Sequence, residues 1–423
     1  MHATQPDNRE TDVKPRVLFV NTRSTLGADV AVHLTLIEHL DPDQIDVFVA
    51  TNRHSADLDA TLRWIGKAPR ARLTVCDLGQ ELSGETRMSK AASALRNLPA
   101  MVTLLRLAAL VRRERITVLH TTDRPRDAAF TTLLARMTGA AVVLHVHLKW
   151  EQAIGRAAHW AARHAQAVLG ISQFTCASMV DGGIPPDRVF LAYNATDSVR
   201  FNPDIVARGV LRSRIGVGAD VPLVGILGRF VPGKGHLDLI TAFAQVHAEL
   251  PEARLVIMGR LTKADAGAPE GWLARLQARV AELQITNAVD WVEWTDDVPA
   301  VMADLDILAV PSWEEPFGLV VTECMSMGRP VVGYSTGALP ELVTNGQEGE
   351  LVTRGDTDAL AQTLVRLLRD PALRAAMGKR GRQRVINEFS PRRQADTVAS
   401  LYRNLSCGEP FTIAPRRSSP VSE

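Results

Sequence analysis

The chain has few cysteines, and their placement excludes two classes of protein. Its 423 residues include four cysteines, Cys76, Cys176, Cys324 and Cys407. No C-x-x-C pair or Cys/His cluster indicates a zinc site, and no dense cysteine framework indicates a disulfide-rich secreted scaffold. This usage predicts a protein of the reducing cytoplasm.

Long apolar runs and an excess of charge are also missing. No uninterrupted apolar run reaches the ~18 residues that indicate a membrane span. Residues 1–14 are polar and charged and lack the apolar core of a signal peptide. The 48 basic and 47 acidic residues leave a net charge of +1, so no global field attracts nucleic acid or an anionic membrane. We predict disorder for 1–14 and for the proline- and serine-containing tail, 406–423.

The chain does have a regular alternation of strand-like and helix-like runs. Hydrophobic residues make up 46% and charged residues 22%, as in an ordinary globular protein. Its length predicts about two to three domains, and the alternation predicts an α/β fold with parallel sheets. The predicted strands lie near 16–21, 45–50, 72–76, 116–120, 141–146, 167–171, 189–192, 222–227, 254–258, 289–292, 306–310, 330–333 and 350–352.

The most informative motif is a pair of glutamates, Glu315 and Glu323, with seven residues between them. The motif follows a strand-like run, 306–310, and opens a helix-like run. A strand, a short loop and a helix N-terminus form an anion site, because backbone N–H groups and the helix dipole point at it. Glu323, about five residues into the helix, is placed to accept hydrogen bonds from a diol such as ribose. Glu315, at the mouth, indicates a ligand that also carries hydroxyls or developing positive charge.

A second segment supplies positive charge. The strand-like run 223–227 leads into a glycine-rich loop, 228–235, which contains Arg229 and Lys234. Glycine lets the backbone approach a ligand closely, and the two cations add fixed charges. Each charge-assisted hydrogen bond contributes roughly 1.5–3 kcal/mol. Together with a helix end, the two cations predict a site that neutralises a diphosphate leaving group without a metal.

These two segments, in this order and about 80 residues apart, resemble the family 4 glycosyltransferases. The resemblance covers roughly residues 16–405. It implies the GT-B fold, in which two Rossmann-like parallel-sheet domains face each other across a cleft. The matching positions imply diphosphate binding by Arg229, Lys234 and the backbone amides of Gly318, Leu319 and Val320, ribose binding by Glu323, and an approach to the donor sugar by Glu315.

In the amino-terminal half, the same resemblance singles out a histidine and a glycine. A strand-like run ends in His145 and His147, which face the same side of a strand, and the family often carries a histidine here that contacts the donor sugar. The pattern leaves both open and favours His147, which lies nearer the C-terminal strand end where ligands bind. Gly27 matches one glycine of the family's Gly-Gly loop near the acceptor and the donor phosphate, whereas Ala28 replaces the other.

The resemblance also implies a domain plan and a reaction. An acceptor-side domain spans 15–200 and regains a C-terminal helix, 391–405, while a nucleotide-sugar-binding domain spans 204–390. The implied reaction is retaining transfer of a hexose-type sugar from a nucleotide-diphosphate sugar to an acceptor hydroxyl, in bacterial glycan or glycolipid biosynthesis. His147 and Glu315 are the expected catalytic residues, with no cofactor and no metal. No residue is an obvious nucleophile, so front-face attack is expected, with the departing diphosphate accepting the proton.

Two other functions are compatible with the fold. A nucleotide-sugar epimerase would convert the donor with no acceptor present. A degenerate transferase would bind a nucleotide sugar as a sensor or assembly partner, although the intact Arg229, Lys234, Glu315 and Glu323 argue against decay. The sequence leaves open the base, the sugar and the acceptor, which is a glycan, a lipid-linked molecule or a small metabolite.

Residues 82–115 are the least typical part of the first half. From Leu95 to Leu110, leucines recur at helical spacing, and the interspersed or following arginines are Arg96, Arg106, Arg112, Arg113 and Arg115. One interpretation is one or two amphipathic helices that pack on the first sheet. The other is a basic and apolar face that contacts a membrane or a lipid-linked acceptor, which would make the protein peripheral at the inner face of the membrane.

Overall fold

The computed structural model describes residues 14–22, 28–68, 70–79, 97–151, 154–259 and 271–407. The chain divides into two compact units. Unit 1 runs to Ile171, includes Thr175–Ala192 and resumes at Gln394, and unit 2 consists of Ser172–Phe174 and Tyr193–Arg393. Each unit contains one parallel sheet flanked by helices.

Unit 1 contains a seven-stranded sheet of order β3-β2-β1-β4-β5-β6-β7. Its strands are β1 Arg16–Asn21, β2 Asp46–Asn52, β3 Arg72–Cys76, β4 Val118–Thr122, β5 Ala141–Val146, β6 Ala167–Gly170 and β7 Val189–Leu191. The helices that begin in the same part of the chain are α1 Ala28–His39, α2 Leu58–Ile65, α3 Leu98–Arg113, α4 Pro125–Thr138, α5 Arg156–His164 and α6 Gln173–Asp181.

Unit 2 contains a six-stranded sheet of order β10-β9-β8-β11-β12-β13. Its strands are β8 Leu223–Leu227, β9 Arg254–Gly259, β10 Val289–Glu293, β11 Ile307–Val310, β12 Val331–Tyr334 and β13 Gly349–Val352. The helices are α7 Val210–Ile215, α8 His236–Glu249, α9 Trp272–Glu282, α10 Val298–Asp304, α11 Leu319–Ser326, α12 Leu339–Leu342, α13 Thr357–Arg369 and α14 Pro371–Glu388, followed by α15 Pro391–Cys407.

The central strands are buried on both faces because helices cover each sheet. All five residues of β8 and all four of β11 are buried, as is typical of parallel strands that carry continuous apolar runs. In each sheet, successive strands are added outward on both sides of one central pair. This pair is β1 with β4 in unit 1 and β8 with β11 in unit 2. Ligands of open α/β sheets bind at the carboxyl ends of such a pair.

The last helix completes the core of unit 1. Val398, Leu401 and Tyr402 on α15 are buried among residues of β1 and α1, such as Val17 and Val30. The Thr117 and Ser406 hydroxyl groups lie 2.9 Å apart and add a polar contact at the end of α15. Unit 1 therefore depends on residues more than two hundred positions beyond its last strand.

All thirteen predicted strands are confirmed, as is the predicted class of two Rossmann-like parallel-sheet domains. The strand predicted near 116–120 extends two residues further, to Thr122. In the described part of the chain, no helix is both long and apolar enough to cross a bilayer.

Candidate functional site

Three loops of unit 2 meet at the carboxyl edge of its sheet, after β8, β11 and β12. The Trp313 N–H donates to the Gly233 carbonyl at 2.9 Å, which ties the second loop to the first. The Ala338 N–H donates to the Glu315 carbonyl at 2.8 Å and ties the third loop to the second. The two motifs that the sequence analysis singled out are therefore neighbours.

Gly235 explains how the first loop comes so close to the second. Its φ is +72°, and a Cβ at this position would lie 1.9 Å from the Pro311 carbonyl oxygen. Only glycine adopts this conformation readily and leaves room for the approach. The close approach brings Lys234 directly beside the glutamate motif.

Lys234 and Glu315 form the central ion pair of the site. The Lys234 Nζ lies 2.5 Å from the Glu315 Oε2, and the two side chains are 25% and 10% exposed. The Ser312 hydroxyl donates to the same carboxylate oxygen at 3.3 Å. The Lys234 ammonium is thus held partly buried beside the loop that precedes α11. A positive charge at this place attracts an anion.

The N-terminus of α11 provides the anion-binding backbone. Gly318 precedes the helix with a φ of +98°, which favours glycine. The first N–H groups of a helix, here those of Leu319 and Val320, have no intrahelical acceptor and carry the positive end of the helix dipole. Leu319 and Val320 are the first two residues of the helix, and Gly318 directly precedes it. Their role in binding a diphosphate stays a prediction.

Glu323 is the fifth residue of α11 and is partly buried. Its removal from solvent raises the pKa of its carboxyl group to about 7, and the charge of Arg200 opposes that rise. A carboxyl group with this pKa is an acceptor when ionised and a donor when protonated. Both states are able to bond a hydroxyl group.

Arg229 and His236 flank Lys234 in the first loop and at the start of α8. Arg229 is exposed, and its carbonyl accepts a hydrogen bond from the Val231 N–H at 2.9 Å. His236 is buried, and burial followed by the charge of Lys234 lowers the pKa of its imidazole to about 4. His236 was not predicted as a site residue, although its position directly after the Gly-Lys-Gly run was a usable signal.

His147 lies in unit 1, where it belongs to a group of four histidines. Its ring centroid is 4.4 Å from that of His145 and 5.4 Å from that of His33, which lies on α1. The His145 Nδ1 lies 3.3 Å from the His120 Nε2, and the His120 Nδ1 lies 2.7 Å from the Tyr402 hydroxyl. His145 and His147 do share one side of the strand, as expected.

Burial keeps these imidazoles neutral. It lowers the pKa of His33 to about 4, and it lowers the pKa of His120, His145 and His147 well below the ordinary value. The backbone N–H of His147 donates to the Asp123 Oδ2 at 3.2 Å, and burial raises the pKa of that carboxyl group to about 6.

His33, Asp123 and Tyr402 were not predicted as neighbours of these histidines, because their elements are far apart in the chain. No Cys/His cluster is visible along the sequence, but in the structure α1 and the end of β5 bring three histidines together. The prediction for Gly27 lies outside the described residues.

Two family models match the chain. The model for "Glycosyl transferases group 1" matches residues 210–384, and the model for "Glycosyl transferase 4-like domain" matches residues 27–195. The first range contains the three loops of unit 2, and the second contains the histidines of unit 1.

Curated relatives of similar sequence include a mannosyltransferase and a glucosaminyl malate synthase. The chain is 31% identical over 246 residues to the GDP-mannose-dependent alpha-(1-6)-phosphatidylinositol monomannoside mannosyltransferase of Mycolicibacterium smegmatis, covering 56% of this chain and 62% of that one. It is 25% identical over 309 residues to the N-acetyl-alpha-D-glucosaminyl L-malate synthase of Bacillus anthracis, covering 71% and 77%. The match spans 62%, 54% and 50% of the length of three relatives at 31–32% identity.

Solved structures share the fold. Anabaena Alr3699/HepE, crystallised in complex with UDP, gives a TM-score of 0.73 at 19% identity and covers 91% of this chain and 99% of its own. The sucrose-phosphate synthase of Thermosynechococcus elongatus gives a TM-score of 0.71 at 21% identity, covering 93% and 100%. With both halves matched by family models, the chain belongs to the group 1 glycosyl transferases and has their GT-B fold.

Proposed function

We propose that this protein is a retaining glycosyltransferase that moves a hexose-type sugar from a nucleotide-diphosphate sugar to an acceptor hydroxyl. The observation that carries the proposal is the Lys234–Glu315 ion pair at the N-terminus of α11. It places a cation, a helix dipole and a carboxylate within one small region, which fits a diphosphate joined to a sugar.

The donor diphosphate is bound by charge and by backbone N–H groups. Lys234 and Arg229 supply two cations, and Gly318, Leu319 and Val320 supply the N–H groups of the helix start. The helix end contributes about 0.3–2 kcal/mol in addition to the charge-assisted bonds. This charge set favours departure of the diphosphate without a metal ion, so we propose metal-independent transfer with no cofactor.

Glu323 and Glu315 bind the two remaining parts of the donor, the ribose and the sugar. Glu323, which lies further along α11, binds the ribose hydroxyls. Glu315 lies before the helix, so we assign it to the donor sugar, where its charge stabilises the positive character that develops at the anomeric carbon. His147 is the residue of unit 1 that we propose contacts the same sugar.

The reaction proceeds by attack of the acceptor hydroxyl on the face from which the diphosphate leaves. The bond between the anomeric carbon and the diphosphate oxygen breaks, a bond to the acceptor oxygen forms, and the diphosphate takes the acceptor proton. Support for a nucleotide-sugar donor comes from the UDP complex of Alr3699/HepE and from the mannosyltransferase whose name includes GDP-mannose. These ligands belong to the two similar proteins, and we extend the donor class to this chain by similarity.

Lys234→Ala and Glu323→Ala test this assignment. Loss of one charge-assisted contact of roughly 1.5–3 kcal/mol lowers transfer about 10- to 150-fold. The measurement is release of nucleoside diphosphate over a panel of nucleotide sugars, chosen first by thermal shift. Lys379→Ala and Glu252→Ala, which change exposed side chains of unit 2, are the matched controls.

Near-normal turnover in both Lys234→Ala and Glu323→Ala, with folded protein, would contradict the assignment. Mass-neutral conversion of the donor without acceptor would instead indicate an epimerase. Nucleotide binding with no turnover on any acceptor would indicate a non-catalytic sensor.

For the acceptor, we propose a glycan or lipid-linked molecule presented at a membrane surface. One face of α3 is buried in unit 1, which agrees with the packing interpretation of the leucine repeat. On α3, Leu98, Met101 and Leu105 are 59%, 59% and 62% exposed, beside the exposed Arg106 and Arg113. An exposed apolar stripe with arginines suits an anionic lipid surface.

Sedimentation with vesicles tests this surface. The protein should bind vesicles rich in anionic lipid at low salt, and binding should weaken as salt screens the arginines. A Leu105→Ser variant should bind less, whereas Leu133→Ser, at another exposed leucine of unit 1, should bind normally. Failure of the unaltered protein to sediment at low salt would remove the membrane proposal.

A further inference from the structure

Three histidines of unit 1 converge on one point, although they come from separate elements. His33 lies on α1, His145 lies in β5, and His147 follows that strand. One ring nitrogen from each lies within 4.8 Å of the other two. His33 and His145 are buried, and His147 is partly buried.

The nitrogens in this group lack partners. The Nε2 atoms of all three rings are buried, and none has a hydrogen-bond partner within the described ranges. A buried polar atom without a partner costs about 1–3 kcal/mol. Three such atoms in one place indicate a ligand that accepts electron pairs from all of them.

A divalent transition-metal ion matches this donor set. Neutral imidazole nitrogen is a preferred ligand for zinc and its neighbours, and three histidines with one open position form a known type of zinc site. Zn–N bonds of about 2.0–2.1 Å place tetrahedral ligand nitrogens about 3.4 Å apart. The three nitrogens lie within 4.8 Å of one another, so each pair has to close by at most about 1.4 Å to reach that spacing.

The surrounding hydrogen bonds suit a metal ligand at His145. In the tautomer that carries a proton on the His145 Nδ1, this atom donates to the His120 Nε2 across 3.3 Å. In the same set of tautomers, the His120 Nδ1 donates to the Tyr402 hydroxyl oxygen across 2.7 Å. This arrangement leaves an electron pair on the His145 Nε2, and such outer partners orient histidine ligands in metal sites.

We propose that His33, His145 and His147 bind one divalent transition-metal ion of the zinc class, with water in the fourth position. His120 and Tyr402 are positioning residues that fix the ring of His145. The site shares only His147 with the residues proposed to bind the donor, so metal binding is measured without donor, and donor binding is tested through Lys234 and Glu323. The ion takes no part in the proposed transfer step, which stays metal-independent.

The test uses the full chain without a histidine tag, freed of metal by a chelator and then titrated with Co²⁺. We expect the visible absorption of tetrahedral cobalt at one ion per chain, and displacement by Zn²⁺ with a Kd on the order of micromolar or below. His33→Ala, His145→Ala and His147→Ala should each weaken binding more than about 100-fold. His39→Ala, on the same helix as His33, is the matched control and should bind normally.

Tyr402→Phe provides the readout for positioning. It removes the hydroxyl but retains the ring, and it should weaken zinc affinity about 10- to 100-fold without abolishing binding. Unchanged affinity in Tyr402→Phe would overturn the positioning role of Tyr402 and His120.

X-ray absorption of the zinc-loaded, unaltered protein keeps the test valid if a histidine variant fails to fold. Histidine nitrogen and oxygen around zinc, with no sulfur, is the expected result. Absence of cobalt and zinc binding, sulfur ligation, or binding that survives all three alanine variants would overturn the proposal.

Discussion

Glu323 has a carboxyl group whose pKa is raised to about 7 by burial. In the unfolded chain this group releases its proton near its ordinary pKa. The folded protein therefore holds the proton more tightly between about pH 4.5 and 7, and its stability falls as pH rises through that window. Above pH 7 the ionised group lowers the free energy of unfolding by its full amount, on the order of 3 kcal/mol.

Glu323→Gln should remove this penalty, because glutamine keeps the shape and carries no charge. We expect the Tm of the variant to match that of the unaltered protein near pH 4.5 and to exceed it increasingly up to pH 8. Thermal unfolding across that range checks the prediction. Parallel Tm curves for the two proteins would contradict the raised pKa.

The loop between β8 and α8 depends on the backbone conformation of one residue. Gly235 combines a φ of +72° with a close approach to Pro311, whereas a Cβ added at Gly233 in the same loop would meet no described atom within 4 Å. An L-residue in the left-handed region costs about 1–2 kcal/mol before any clash is counted. The placement of Lys234 beside Glu315 therefore depends on Gly235.

Gly235→Ala should lower the Tm of the protein and weaken nucleoside-diphosphate binding together, because the loop has to move away from Pro311. Gly233→Ala is the matched control for stability and should leave the Tm nearly unchanged. Thermal unfolding and calorimetric titration with UDP and GDP measure both effects. Equal Tm values for the two variants would show that the close approach is not needed.

At the scale of the whole molecule, the chain returns from unit 2 to unit 1 within α15. Helix α15 follows unit 2 in the chain but supplies Val398, Leu401 and Tyr402 to the core of unit 1. Removal of a buried leucine side chain costs about 2–5 kcal/mol. A substitution that weakens the packing of α15 should therefore destabilise unit 1.

Leu401→Ala tests this by hydrogen exchange followed by mass spectrometry. Peptides from β1 and β4 should lose protection, and peptides from β8 and β11, which serve as an internal control, should keep theirs. Loss of protection confined to β8 and β11 would contradict the assignment of α15 to the core of unit 1.

Much of this organisation was predictable from local patterns. Apolar runs such as 223–227 and 306–310 predicted β8 and β11, because a strand buried on both faces needs a continuous apolar sequence. The placement of Glu323 about five residues into a helix-like run predicted the start of α11. Site residues within one loop, such as Lys234 and Gly318, were predictable because loop and helix start are contiguous in sequence.

The amino-acid sequence by itself determined the α/β class, the thirteen strands and the segments that carry the cationic loop and the paired glutamates. Only the tertiary structure decided that Lys234 bonds Glu315 and that His33 joins His145 and His147. The physical reason is that strand order in a parallel sheet, and not position along the chain, sets which loops meet. Lys234 and Glu315 are 81 positions apart, and His33 is more than a hundred positions from His145. Such contacts depend on strand order and helix packing, which no local sequence pattern contains.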